Sequence, residues 1–110
     1  MAAQSVRVLL VDDDTANARR IRRTLTSEAA PTFHVDEADA LQAAEQQLQL
    51  AQYDVVLLNL AHAGVSGLGS LAVLQTAQPR LPIVVLAPAA RESLALKAVQ
   101  QGAVDYLINE

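Results

Sequence analysis

Short apolar runs alternating with helical periodicities constrain this chain more than any other feature. Runs rich in Val, Ile and Leu lie at residues 6–11, 55–60, 83–86 and 104–108. They lack strict alternation and are too short for core helices, which suits strands buried on both faces. A weaker run at residues 32–35 follows Pro31, a residue a strand start tolerates. Between the runs, apolar residues recur at helical spacing. The first set is Ala18, Ile21 and Leu25, with Asp14 or Thr15 as N-cap. The second is Leu41, Ala44, Leu48 and Ala51, and the third is Leu68, Leu71 and Leu74, stopped by Pro79. The fourth is Leu94, Ala95, Ala98 and Val99, with Gly102 placed to end it. The order β-α-β-α-β-α-β-α-β predicts a three-layer α/β/α, doubly wound parallel sheet with right-handed crossovers.

The chain has 110 residues, room for a single domain spanning 1–110, and 52% of them are apolar, enough for one core. The pattern stops after the fifth strand, where doubly wound folds usually add one more helix. One sheet face is therefore expected to stay open and apolar, awaiting either chain beyond Glu110 or a partner. A net charge of −4 argues against a globally basic nucleic-acid binder. With no cysteine there are no disulfides or thiolate metal sites. No apolar run is long enough for a membrane span. MAAQSVR leads into strand residues too soon for a signal peptide. The expected setting is cytoplasmic, with no direct nucleic-acid or membrane partner.

Ligands of open α/β sheets sit at the carboxyl ends of the strands. Here those ends carry Asp12, Asp13 and Asp14, then Asn59, then Ala87, then Asn109. Adjacent carboxylates repel and need donors, water or a cation such as Mg²⁺.

VLLVDDD, YDVVLLNLAHAGVSG, LPIVVLAPAA and GAVDYLIN, in this order, resemble the receiver domain of bacterial response regulators. The resemblance runs from Val6 to Asn109. It implies a flavodoxin-like fold with a five-stranded parallel sheet of order 2-1-3-4-5, here lacking the final helix. It also implies a signalling role in which a histidine kinase phosphorylates one Asp. Asp12 and Asp13 match the acidic pair that holds Mg²⁺, and Ala61 falls where a backbone carbonyl completes the metal site. Gly67 matches the glycine opening the third helix, and Tyr106 matches the switch aromatic. Three positions depart together. The phosphoacceptor position is Asn59, whose amide is a far poorer nucleophile than a carboxylate. The Ser/Thr position is Ala87, and the Lys position is Asn109. His62 and Ala63 replace the Met-Pro pair. Losing one acid and one base together leaves the local formal charge unchanged, and Asn59 can donate to a carboxylate as a neutral spacer.

These matches imply a degenerate receiver that is not an enzyme and requires no cofactor, with only weak residual Mg²⁺ binding. It would act without phosphorylation, as a protein-interaction or dimerisation module attached to the output domain of a phosphorelay-type regulator. Tyr106 would hold one state or answer to a partner. Alternatives are a working receiver that phosphorylates Asp13 or His62, a small phosphotransfer enzyme using the carboxylates, or a small-molecule sensor at the same strand ends. Blander readings stand beside these. Residues 12–14 can simply favour the first helix dipole. His62 reads as an exposed loop residue, and His34 as a solvent-facing residue of an edge strand. Arg19, Arg20, Arg22 and Arg23 read as a solvated surface or a docking patch for an acidic partner. Leu96 lies off its helix's apolar stripe. With Tyr106 it is a candidate dimer surface on the fourth helix and fifth strand, the uncovered sheet face being the other. Gln42, Gln46, Gln47 and Gln49 read as the polar face of the second helix.

Overall fold

A computed structural model describes residues 5–27, 31–60 and 66–109. Its elements are β1 (Ser5–Val11), α1 (Thr15–Thr26), β2 (Thr32–Ala38), α2 (Leu41–Leu50), β3 (Val55–Asn59), α3 (Ser66–Ala77), β4 (Ile83–Ala87), α4 (Glu92–Gln100) and β5 (Asp105–Ile108). A turn of 3-10 helix, Ala89–Arg91, leads into α4. The five strands form one sheet of order β2-β1-β3-β4-β5, parallel throughout. The chain steps from β1 outward to β2, then crosses back to β3 on the other side of β1. That reversal opens a crevice at the carboxyl ends of β1 and β3.

Alternate strand residues divide the core into two layers. On one face Leu9, Val11, Val56, Leu58, Ile83 and Val85 pack with Ala44 and Leu48 of α2, Leu71 and Leu74 of α3, and Ala95 and Ala98 of α4. On the other face Leu10 and Leu86 pack with Ala18 of α1, flanked by Ile21, Val35 and Leu57. Small alanines on α4 and leucines on α3 face this layer. Among the described residues α1 is the helix that packs on this second layer, and Leu107 of β5, paired in register with Leu86, is 54% exposed.

The helix ends follow the local chemistry anticipated for them. Asp14 is the N-cap of α1, and its Oδ1 accepts the Asn17 N–H at 3.1 Å. Gly102 adopts φ +115° and ends α4. Its N–H donates to Val99 O, and the Ala103 N–H donates to Ala98 O, both at 3.0 Å, the paired closure of a Schellman turn.

One strand is longer than its apolar run. β2 continues through Asp36 and Glu37 to Ala38, pairing with Leu9, Leu10 and Val11. As an edge strand it can carry polar residues, because their side chains find partners at the rim. The Tyr53 hydroxyl donates to Asp36 at 2.7 Å, and Arg22 pairs with Glu37 at 3.0 Å. His34 is exposed on this strand, and Leu96 is 47% exposed on α4, as their patterns suggested. Gln42, Gln46 and Gln49 are exposed, whereas Gln47 is half-buried and accepts from the Tyr53 hydroxyl. No helix among the described residues is long and apolar enough to cross a membrane.

Candidate functional site

The crevice is organised around one carboxylate. Asp12 follows the last residue of β1 and is only 4% exposed. Its backbone N–H donates to Ala38 O at 2.9 Å, tying it to β2. Its Oδ1 accepts the Asp14 N–H at 2.9 Å. Its Oδ2 accepts two side-chain amides, Asn17 Nδ2 at 2.8 Å and Asn59 Nδ2 at 2.9 Å. Such charge-assisted bonds compensate the burial of the carboxylate.

Asn59 closes β3 and is itself buried. Register explains the meeting: β1 and β3 are adjacent and parallel, so residues 47 apart in sequence share one strand end. Asn109, just past β5, donates its N–H to Ala87 O at 2.9 Å. Its side-chain Nδ2 lies 3.5 Å from Asn17 Oδ1, a contact at the weak limit of hydrogen bonding. Ala87 is fully buried, with a methyl group where a polar contact could otherwise form. Asp13 is exposed beside this cluster, and Asp14 is engaged as the cap. Ala61, His62 and Ala63 lie outside the described residues.

The structure thus brings Asp12, Asn59 and Asn109 together, with Asn17 as their unanticipated centre. Asn17 donates to Asp12, while its Oδ1 accepts from Arg20 and faces Asn109. The available sequence signal was its place in the first turn of α1, three residues after the cap. There its side chain points back over the strand end. Tyr106 does not join the crevice. It packs against the α4 layer, and its hydroxyl donates to Glu92 Oε2 at 2.7 Å. That bond pushes the phenol above its ordinary pKa, with lost hydration and the Glu92 and Asp105 charges adding to it. The four α1 arginines do not act alike. Arg22 reaches Glu37 and Arg20 reaches Asn17, while Arg19 and Arg23 are exposed on the outer surface.

Mg²⁺ needs oxygen ligands in near-octahedral array. Here both oxygens of Asp12 already accept N–H groups, and the amides of Asn17 and Asn59 aim nitrogen, not oxygen, at the place a cation would take. Among the described residues no group of three His, Cys, Asp or Glu could hold a metal. The residues as arranged do not fit the ion. Three internal donors already compensate the buried Asp12 carboxylate, while Asp13 is exposed beside it.

Fold and site together define a doubly wound, flavodoxin-like α/β protein with its polar centre at the β1–β3 switch point. The profile of the response regulator receiver domain matches residues 8–109, and the chain belongs to that family. It is 34% identical over 102 residues to the alginate biosynthesis transcriptional regulatory protein AlgB of Pseudomonas aeruginosa, covering 93% of this chain and 22% of that protein. It is 32% identical to the cell cycle transcriptional regulator CtrA of Caulobacter vibrioides, covering 93% of this chain and 43% of that protein. A protein-glutamate methylesterase/protein-glutamine glutaminase of Myxococcus xanthus is 40% identical over 107 residues, covering 96% of this chain and 30% of that enzyme. The chain thus spans less than half the length of these relatives. Among solved structures, the N-terminal receiver domain of a Bacteroides fragilis response regulator superposes with a TM-score of 0.81 at 21% identity, covering 97% of this chain and 85% of that one. The Thermotoga maritima response regulator TrrA, solved in complex with Mg²⁺ and BeF, gives 0.74 at 23% identity, covering 96% and 87%. These two similarities establish the fold.

Proposed function

We propose that this receiver domain has lost phosphoryl transfer and works in two-component signalling through protein contacts. The observation that carries the reading is Asn59. It sits at the end of β3, beside the buried Asp12, and donates its amide to that carboxylate at 2.9 Å. An amide bound in this way is no nucleophile toward a phosphoryl group. Ala87 offers no hydroxyl, and Asn109 offers no cation, so a phosphoryl group would find neither of its usual stabilisers. The buried Asp12 is occupied by three N–H donors, which counts against a phosphotransfer enzyme built on it.

The domain would take up residues 1–110 of a cytoplasmic regulator and pass its signal to an output domain or partner. Support for a protein partner comes from two surfaces. The outer face of α1 carries Arg19, Arg20 and Arg23 on a helix with no acidic residue, which suits an acidic patch. On α4 and the α4 side of β5, Leu96 and Ile108 are exposed apolar residues that suit a second copy.

The test is treatment with acetyl phosphate and Mg²⁺ followed by intact mass. No adduct of about 80 Da, the mass of one phosphoryl group, is expected. A stable adduct would overturn the reading. Exposure of Asp13 beside the crevice makes it the acceptor to examine in that event, and loss of the adduct in Asp13→Asn would assign it. His62 is the second residue to examine.

A further inference from the structure

We propose that the strand-end crevice is a closed node that needs no divalent cation, because Asn17, Asn59 and Arg20 together supply what a cation would supply to Asp12. The proposal shares with the functional reading only the place of Asn59.

A buried carboxylate requires compensation, from either a cation or hydrogen-bond donors. Asp12 has the second kind. One oxygen accepts the Asp14 backbone, and the other accepts the two amides. These donors come from the start of α1 and the end of β3, so the carboxylate staples the end of β1 to both. Its own N–H adds β2.

Admitting a cation at Oδ2 would mean turning both amides over, so that oxygen rather than nitrogen faces the metal. For Asn17 that turn is opposed. Its Oδ1 is the acceptor for the Arg20 guanidinium. A flipped Asn17 would aim its NH₂ group at that guanidinium, donor against donor. Arg20 therefore fixes the amide in the orientation that serves Asp12. This gives Arg20 a task that its surface position alone does not suggest.

Thermal melts and amide-resolved NMR of the intact chain test the node, with millimolar MgCl₂ compared against EDTA. The wild-type midpoint is expected to be the same in both. The amide shifts of Asp12, Asp13 and Asn59 are expected to stay in place through the titration. A saturable Mg²⁺ shift at these residues, or a midpoint that rises with Mg²⁺, overturns the proposal. Asn59→Asp replaces a donor with a second carboxylate. It is expected to melt below wild type in EDTA and to regain part of the loss with Mg²⁺. Equal stability in EDTA also overturns the proposal. Should that variant fail to fold, Asn17→Ala removes one donor and releases Arg20 without adding charge. It is expected to melt lower than wild type, and an unchanged midpoint counts against the node. The two readings separate cleanly. A Mg²⁺-dependent melt without a phosphoryl adduct overturns the node alone, whereas an adduct with a Mg²⁺-silent melt overturns the loss of phosphoryl transfer alone.

Discussion

Replacing Asp12 by Ala decides between two opposite accounts of the acidic cluster. If residues 12–14 mainly repel one another, removing a carboxylate should stabilise the fold. The hydrogen bonds argue the reverse. Asp12→Ala leaves three N–H groups without their acceptor. Hydrogen bonds to a charged group contribute roughly 1.5–3 kcal/mol each. The Asn59 amide is buried and loses its bond outright, while the Asn17 amide and Asp14 N–H are only partly buried and recover some of theirs from water. Relief from burying a charge offsets a further share. The net loss expected is about 2–3 kcal/mol, which lowers the melting midpoint by about 8–15 °C in a domain of this size. Urea unfolding followed by far-UV circular dichroism measures it, with an unchanged m-value showing that the same surface unfolds. A loss below about 0.5 kcal/mol, or any gain, would show that repulsion dominates and that the amides do not hold the carboxylate.

Other expectations follow from the packing and the caps. Gly102→Ala forces a Cβ into a φ of +115° and against the Gln75 side-chain amide, which bonds Gln101 O at 2.9 Å. A loss of about 1–2 kcal/mol is expected in the same urea assay. Leu74→Ala empties a site that is 1% exposed between α3 and the sheet, at a cost of about 2–5 kcal/mol. A loss under ~1 kcal/mol would mean that this layer can collapse onto the gap. The Tyr53 phenol is raised to about 12, by burial first and then by its bond to Asp36. The folded state therefore holds this proton more tightly than the unfolded chain, whose phenol ionises near 10. The associated stability should be complete below about pH 10 and disappear as pH rises through about 12, and Tyr53→Phe should flatten that slope. Breaking the surface pair with Arg22→Ala should cost no more than about 1 kcal/mol, since the two side chains are 54% and 23% exposed.

The sheet and helices were legible because their signals are local. Apolar runs marked β1, β3, β4 and β5 within a residue or two of their observed ends. Asp14 and Gly102 marked helix boundaries, because a cap acts on backbone groups a few residues away. β2 was read too short, since Asp36 and Glu37 break the apolar run, and only their partners Tyr53 and Arg22 show why an edge strand tolerates them. The strand-end position of Asp12 and Asn59 was legible too, as was the capacity of Asn59 to donate to a carboxylate, but not that Asn17 would complete the set.

Sequence by itself therefore determined the order of elements, the parallel sheet and the residues presented at its carboxyl ends, because burial on both faces and helix periodicity are written into neighbouring positions. Tertiary structure alone decided which of those residues bond. Asn59 meets Asp12 across 47 positions, and Asn109 approaches Asn17 across 92. Such meetings depend on which strands lie side by side and on their register, a property of the assembled sheet rather than of any one segment. The same dependence directed Tyr106 toward Glu92 on α4, because alternate residues of β5 face opposite layers of the fold.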